Sequence, residues 1–263
     1  MLEDKRSEPR NRPPELQTNG LRDKPTLVNN VETLAWVPAI VLAERGKSFA
    51  EIGRPGFKGR RLFSISGDVV RPGVYEVANG TTLRELIYGL SGGIRDGMPL
   101  KAVALSGPSG GFTPARIPAK SLPESYRKGR LPADAEEFDL LDFELDIEIS
   151  RKARIMLGAG IVVYGTSADL VEQARVCQEF YHRESCGKCV PCRLGSRKLF
   201  EYAEELQNGR WPRDQTAFRS GLLSELTSAM GQASICGLGK VAPNPLLTLL
   251  KHFPGEVELR LQR

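Results

Sequence analysis

The spacing at which apolar residues recur differs from one segment of the chain to the next. Residues 1–27 carry no periodic apolar pattern and are rich in charged residues and proline, so we expect an extended arm there. From residue 28 to 43 the apolar residues recur at helical spacing. Asn30 is placed to cap this helix and Gly46 to close it, while Pro38 is expected to bend or shorten it.

From residue 60 the apolar pattern changes to a period of two, which is typical of strands. Strands are predicted at 62–67, 73–77 and 101–106. Thr82 and Glu85 have the spacing of a capping box, so a short helix is expected to begin there and to end at the glycines that follow. Two strands, a helix and a third strand in so short a span predict a small β-grasp-like module of the α+β class.

The remaining pattern predicts a connector and then a helical bundle. Residues 112–150 are rich in proline and acidic groups and are expected to be dominated by loops, and a short buried strand is expected at 160–164. Ser167 or Asp169 can cap the helix after it. Helices of the bundle are predicted at 170–181, 193–206, 214–230 and 245–252, with the nearby cysteines on the segments between helices.

Composition narrows the function classes. The chain has 263 residues and a net charge of +5, and its basic residues are scattered, so a nucleic-acid partner is not expected. No apolar stretch approaches the roughly 20 residues that span a bilayer, and the charged N-terminus does not have the form of a signal peptide. An odd number of cysteines, five, favours a reducing compartment, so a cytoplasmic protein is expected.

Four of the five cysteines have the spacing of one metal site. Cys186, Cys189 and Cys192 form a C-x2-C-x2-C run, and Cys236 follows much later. Thiolates are soft ligands, which restricts the metal to zinc, copper(I) or iron–sulfur. Structural zinc usually takes two separated pairs, whereas a cubane cluster needs one thiolate at each of four irons. The split of three plus one therefore favours a 4Fe-4S cluster, with zinc as the alternative.

The residues around these cysteines suit an anionic cluster. Gly187 and Gly237 each follow a cysteine and leave room for backbone N–H groups to approach the cluster. Positive charge that would offset the burial of an anionic cluster is expected from Lys188, Arg193, Arg197 and Lys240.

Other candidate groups have simpler interpretations. Cys177 lacks a partner at ligand spacing and is expected to be a small buried apolar residue. His182 lies four residues before Cys186. It is interpreted as a histidine at a helix end without a metal role, or as one close enough to hydrogen-bond the cluster. His252 is expected to be structural or solvated. The glycine-rich segments at 107–111 and 158–160 match no phosphate-binding motif and predict turns.

Three sequence strings together resemble one family. The strings at 184–193, 234–239 and 24–33 are similar to the NADH-binding flavoprotein subunit of complex I. They are also similar to the diaphorase subunits of NAD-reducing hydrogenases and NAD-linked formate dehydrogenases. The resemblance covers nearly the whole chain, and it implies a ubiquitin-like SLBB module followed by a C-terminal helical domain that holds the iron–sulfur cluster.

The resemblance also implies the cofactors and their ligands. In this family NADH reduces FMN by hydride transfer, and the flavin passes single electrons to the cubane. The resemblance implies that Cys186, Cys189, Cys192 and Cys236 ligate the cluster, and that Asn29 and Asn30 line the flavin site. Without the resemblance, these two asparagines are interpreted as a turn and a helix cap. FMN and NAD(H) are expected from the resemblance only, not as ligands of this chain alone.

One departure from the family shapes the expected domain organisation. The family begins with a flavin- and NADH-binding domain that carries a glycine-rich loop, and no such region is found here. We therefore expect the chain alone not to oxidise NADH. Four parts are expected: a residual tail of the flavin domain with a linker helix (1–59), the SLBB module (60–111), a connector (112–166) and the cluster domain (167–263).

The functional hypothesis is the electron-transfer portion of an NADH-linked oxidoreductase. It would take electrons from a flavin-binding chain and pass them to a ferredoxin-like or thioredoxin-like iron–sulfur subunit, in the cytoplasm or peripheral to the membrane through a complex. The parent complex stays open between complex I, a hydrogenase and a formate dehydrogenase. The alternatives are a non-catalytic assembly module with a structural metal, and an iron–sulfur sensor, for which the sequence has no DNA-binding signature.

Overall fold

The first part of the chain ends in one exposed helix. The computed structural model describes residues 7–43, 49 and 51–262, so Gly46 lies outside the described residues. Helix α1 spans Val31–Leu42, and the Asn30 side chain accepts a hydrogen bond from the backbone N–H of Glu32 at 2.9 Å, which confirms the predicted cap. The helix continues past Pro38 to Leu42, so the proline does not end it.

A mixed five-stranded sheet forms the centre of the structure. Its strands are β1 (Arg60–Gly67), β2 (Gly73–Ala78), β3 (Leu100–Pro108), β4 (Thr113–Pro114) and β7 (Gly160–Gly165). They lie in the order β2-β1-β7-β3-β4. The first three were predicted from the period-two pattern, and β1 and β2 pair antiparallel with Phe63 opposite Tyr75.

Strand β7 takes the central place in this sheet. It pairs parallel with β1, with Ile65 opposite Ile161, and antiparallel with β3, with Val103 opposite Val163. The sequence predicted the strand itself but not its position between β1 and β3. The middle strand of the sheet therefore comes from beyond residue 111, the predicted end of the SLBB module. The limits of the four expected parts stay predictions.

The helix beside the sheet begins as its capping box predicted. Thr82 donates its backbone N–H to Glu85 Oε2 at 2.9 Å, and Thr82 Oγ1 accepts from the Glu85 N–H at 3.3 Å. The helix that follows has π-helical hydrogen bonding over Glu85–Leu90, and it buries Leu86 and Ile87 on the sheet. This strand–helix–strand arrangement confirms the predicted α+β module.

The predicted connector contributes to the core. It contains the short elements β5 at Arg116–Pro118, α2 at Glu124–Arg127, β6 at Glu137–Asp139 and α3 at Ile147–Ala153. Leu140, Phe143 and Leu145 are fully buried there and pack in the same cluster as Phe63 of β1. The expectation of a loop-dominated segment missed this burial, because the apolar residues lie among prolines and acids without a regular period.

The C-terminal part is the predicted helical bundle. Its helices are α4 at Leu170–Glu184, α5 at Val190–Gln207, α6 at Thr216–Ala233, α7 at Gly237–Val241, α8 at Asn244–His252 and α9 at Pro254–Glu258. Strands β8 (Trp211–Pro212) and β9 (Leu261–Gln262) form a small parallel pair near its end. The short helices α7 and α9 were not predicted. Over the described residues, no helix has the length and apolar character needed to cross a membrane.

The sheet separates two apolar cores. Val103 and Val163 face the core formed with the helix at Glu85–Leu90 and the 117–157 segment, whereas Ala102 and Tyr164 face the helical bundle. Alternate residues of one strand point to opposite faces, so both faces of β3 and β7 are covered. The bundle is thereby fixed against the sheet, and its helices place the cysteines.

Candidate metal centre

Helix α4 leads the chain to the first cysteine. Asp169 caps its N-terminus by accepting hydrogen bonds from the N–H groups of Val171 and Glu172, both at 3.1 Å. Near its other end, buried Gln178 donates to the Ala242 carbonyl at 2.9 Å, which ties α4 to the segment after α7. Cys186 follows two residues after the helix ends, so α4 fixes where the thiol loop begins.

A tight loop and a helix start bring three thiols together. Gly187 has φ of +78°, a conformation that favours glycine, and its carbonyl accepts a hydrogen bond from Arg193 Nη1 at 2.7 Å. Cys189 is the N-cap of α5, and Cys192 lies in the first turn of that helix. The prediction that the four candidate ligand cysteines lie between helices is therefore wrong for Cys192, because α5 begins three residues earlier than expected.

The fourth thiol comes from the turn between α6 and α7. Cys236 is the N-cap residue of α7. Gly239, the third residue of α7, packs closely against the thiol loop. A Cβ added at Gly239 would lie 2.9 Å from Cβ of Cys192 and 2.4 Å from Oγ of Ser234. The sequence analysis did not single out Gly239; it singled out Gly237, where an added Cβ would meet nothing within 4 Å.

The four thiols line one cavity of about 60 Å³. The structure therefore brings together all four predicted cysteine ligands. The remaining lining residues are Ser7, Pro9, Glu184, Ser185, Lys188 and Leu238. Cys192 is buried and the other three cysteines are half-buried, so the cavity lies at the surface of the bundle.

The four thiols influence one another electrostatically. Burial raises the pKa of Cys192, a hydrogen bond with Ser185 opposes that rise, and negative charge on Cys189, Cys236 and Cys186 raises the pKa further. Ser185 Oγ and Cys192 Sγ are 3.4 Å apart. Four thiolates in one place repel each other, and a bound cation or cationic cluster core removes that repulsion.

Backbone N–H groups are directed at one of these sulfurs. Burial raises the pKa of Cys189, but hydrogen bonds from the backbone of Ile235, Cys192 and Cys189 itself outweigh it, and the pKa is lowered overall. The donors at Cys189 and Cys192 lie at the start of α5, where the first N–H groups have no partner within the helix, and Ile235 lies in the turn before α7. They favour a thiolate at this position and suit a negatively charged group in the cavity.

The donor set of this cavity suits an iron–sulfur cluster. Four thiolate sulfurs line it, and a cubane takes one thiolate at each of its four irons. Structural zinc would need the same four sulfurs at about 2.3 Å from one centre. Among the residues that the structure describes, no group of three or more histidine, cysteine or acidic side chains is placed to hold a single metal ion.

Two of the four predicted cations contact the thiol loop. Arg193 bonds the Gly187 carbonyl, and Lys188 Nζ donates to the Pro9 carbonyl at 3.0 Å. Arg197 instead pairs with Glu201 one turn along its own helix, at 3.1 Å, and Lys240 is exposed. The contact between Lys188 and the N-terminal arm was not predicted, because no local pattern links residues so far apart in the sequence.

The asparagines predicted from the family resemblance lie at the start of α1. Asn30 caps this helix, and both Asn29 and Asn30 are exposed. The cap agrees with the interpretation made without the resemblance. A role for either residue at a flavin site stays a prediction.

Cys177 and the two histidines take ordinary structural positions. Cys177 is buried, and burial raises the pKa of its thiol to about 12, so it remains a neutral apolar group. His182 stacks on Phe200 with ring centroids 5.8 Å apart. His252 is half-buried, and burial followed by the charge of Lys251 lowers its pKa.

Comparison with known proteins agrees with this geometry. Residues 172–260 match the NADH-ubiquinone oxidoreductase-F iron-sulfur binding region, and residues 62–113 match the SLBB domain. The chain is 33% identical to the NADP-reducing hydrogenase subunit HndC of Solidesulfovibrio fructosivorans, covering 98% of this chain and 47% of that protein. It is 36% identical to the NADH-quinone oxidoreductase F protein of Rickettsia rickettsii, covering 99% of this chain and 56% of that protein.

A solved structure extends the comparison to three dimensions. The NAD+-reducing NiFe hydrogenase in its H2-reduced state matches 97% of this chain and 38% of the hydrogenase chain, with a TM-score of 0.76 and 32% identity. The chain spans about half the length of the curated relatives described above. The resemblance inferred from the sequence is thus confirmed. The chain has an SLBB domain followed by a 4Fe-4S binding region. It corresponds to the C-terminal portion of the proteins in the family of the NADH-quinone oxidoreductase F protein and its hydrogenase counterparts.

Proposed function

We propose that this chain is the electron-transfer portion of an NADH-linked oxidoreductase, with a 4Fe-4S cluster held by Cys186, Cys189, Cys192 and Cys236. The observation that carries the proposal is the convergence of these four thiols on one cavity, inside a region that matches an iron–sulfur binding family. A bound 4Fe-4S cluster supplies reversible one-electron storage.

The protein residues prepare the cavity for this role. The backbone N–H groups around Cys189 offset the negative charge of its thiolate, and the Ser185 hydroxyl lies within hydrogen-bond distance of Cys192. Burial of Cys192 keeps water away from the inner side of the cavity. Hydrogen bonds and limited solvent exposure are the means by which a protein sets the potential of such a site.

The position of the cavity supports a relay of electrons. Cys186, Cys189 and Cys236 are half-buried at the bundle surface, so a redox group on a neighbouring domain or subunit can come close to them. We propose that the electrons originate from NADH through a flavin bound outside these 263 residues. They leave to a ferredoxin-like or thioredoxin-like iron–sulfur subunit of the same multi-subunit complex. The names of the relatives, which are NADH-quinone oxidoreductase and hydrogenase subunits, support this proposal.

The same reasoning gives a proposed location. Thiolate ligands and an odd number of cysteines favour a reducing compartment, so the complex is placed in the cytoplasm or on the cytoplasmic side of a membrane. Asn29 and Asn30, at the start of α1, are proposed to face the flavin-binding part.

The test is anaerobic reconstitution of the chain with iron and sulfide. We expect a brown protein with about four irons per chain and, after chemical reduction, the EPR signal of a cubane cluster. Cys236→Ser should lose the signal, because it removes the ligand that closes the cavity. Cys177→Ala is the matched control, since it removes a buried thiol of the same bundle outside the cavity, and it should retain the signal.

Two results would contradict the proposal. A colourless protein that holds one zinc per chain would show that the thiols form a structural site. Retention of a normal cubane signal in Cys236→Ser would show that the ligand set is different. Circular dichroism of each variant separates loss of a ligand from general loss of the fold.

A further inference from the structure

The N-terminal arm lies across the thiol cavity. Ser7 and Pro9 line the cavity together with the four cysteines. Lys188 Nζ donates a hydrogen bond to the Pro9 carbonyl at 3.0 Å, and it lies 3.9 Å from a carboxylate oxygen of Glu8. One lysine therefore joins residues 7–9 to the loop that carries the first two cysteines.

The position of Lys188 is fixed by its neighbours in the loop. It lies between Cys186 and Cys189, directly after Gly187, whose N–H donates to Ser185 Oγ at 3.3 Å. The Gly187 carbonyl is in turn bonded by Arg193. Hydrogen bonds therefore hold both the N–H and the carbonyl of the residue before Lys188, and the Lys188 side chain is only 35% exposed.

The arm beyond Pro9 is held by hydrogen bonds of its own. Arg10 Nη1 donates to the Asn19 carbonyl at 2.9 Å, and the Asn19 N–H donates to the Glu15 carbonyl at 2.8 Å. The Thr26 N–H then donates to the Leu16 carbonyl at 3.0 Å. Hydrogen bonds thus close residues 10–26 into a loop, and the short segment 7–9 precedes this loop.

We propose that Lys188 is a positioning residue that fastens residues 7–9 as a strap over the thiol cavity. The strap restricts the access of solvent and small molecules to the thiols and to the cluster bound there. This inference rests on the proposed function for its effect on the cluster, but the covering of the thiols is a property of the chain itself. Pro9 assists because its fixed φ leaves the strap fewer conformations in the free state.

A purely electrostatic role for Lys188 is the competing explanation. A cation near thiolates lowers their pKa and makes them more reactive. Loss of the charge alone should therefore slow thiol modification, whereas loss of the strap should accelerate it. The two explanations predict opposite signs, and Lys240, an exposed lysine four residues after Cys236, provides the matched control.

The first measurement uses the cluster-free chain under reducing conditions. Wild type, Lys188→Gln, Lys188→Arg and Lys240→Gln are treated with iodoacetamide, and the modification of each cysteine is followed by mass spectrometry. Lys188→Gln should accelerate modification of Cys186, Cys189 and Cys236 by about threefold or more, because opening of a locally fastened segment controls access to the groups beneath it. Lys188→Arg should behave as wild type, and Lys240→Gln should show no acceleration.

The second measurement uses the reconstituted chain and a strong iron chelator. Lys188→Gln should release iron about threefold or more faster than wild type, for the same reason, while Lys240→Gln should not. Unchanged or slower modification of the thiols in Lys188→Gln would overturn the strap. The two proposals can fail separately. If the thiols of the variants are modified at the expected relative rates but the wild-type chain takes up no cluster, the strap is supported and the proposed function is wrong.

Discussion

Strands β3 and β7 are buried on both faces, whereas the cysteine segments lie at the surface of the helical bundle. Phe63, Val103 and Val163 of the sheet are fully buried in one apolar core. Three of the four cavity thiols are only half-buried, and their geometry depends on a positive-φ glycine, helix N-termini and the close approach of Gly239. Apolar packing therefore determines whether the chain folds, and backbone detail determines whether the four thiols meet.

Substitution in the sheet should have the largest effect. Phe63→Ala removes a fully buried ring and is expected to lower the free energy of unfolding by about 3–5 kcal/mol. The loss should be similar with and without iron, measured by urea denaturation followed by circular dichroism. The neighbouring Leu62→Ala, on the exposed side of the strand, should cost less than about 1 kcal/mol. Equal losses in the two variants would contradict the assignment of this core.

Substitution at the cavity should act on the ligands more than on the fold. Gly239→Ala places a Cβ 2.9 Å from Cβ of Cys192, so α7 must shift, at a cost of about 1–3 kcal/mol. Because α7 carries Cys236, we expect the iron content per chain after reconstitution to fall as well. The control is Gly237→Ala in the same helix, where the added Cβ meets nothing within 4 Å. Normal iron content in Gly239→Ala would contradict this account.

The smallest effect is expected from a charged pair at the helix beside the sheet. A hydrogen bond from Arg54 first, and bonds from Thr82 after it, lower the pKa of Glu85 to about 2 against the opposing effect of burial. A lowered pKa in the folded state stabilises the protein above the unfolded-state value, about 4.3, and that contribution disappears as the pH falls towards 2.

Glu85→Gln should therefore flatten the dependence of stability on pH in this acid range. The change should stay below about 1 kcal/mol, because the Arg54 and Glu85 side chains are 40% and 45% exposed and solvent screens the pair. Arg54→Gln removes the charged hydrogen-bond donor that lowers the pKa of Glu85 most, so it should also flatten the dependence of stability on pH in this range. An unchanged slope of the unfolding free energy between pH 5 and 2 in both variants would contradict the assignment.

Local chemistry explains what the sequence could predict. Asn30, Asp169 and the pair Thr82–Glu85 cap helices because a short polar side chain reaches the N–H groups at its own helix start. The C-x2-C-x2-C run could be interpreted without the fold for the same reason, since a tight turn and the first turn of a helix suffice to gather those sulfurs.

Long-range placement explains what the sequence could not predict. The position of β7 between β1 and β3 depends on pairing between strands far apart in the chain, and Phe143 reaches the core from a segment without apolar period. The contact of Lys188 with Pro9 joins residues 179 positions apart. No local pattern carries such information, because it arises only when the two cores form on either side of the sheet.

The double covering of β3 and β7 has a consequence for dissection of the gene. The iron–sulfur region that begins at residue 172 contains all four cavity cysteines and helices α5 to α9, and so looks like a portable electron carrier. Its apolar interior, however, is completed by Ala102, Ala104, Phe112 and Tyr164, which a fragment cut at that point leaves behind. The excised piece would expose the apolar surface that these residues cover, so the smallest transplantable unit of the proposed electron carrier includes β3 and β7.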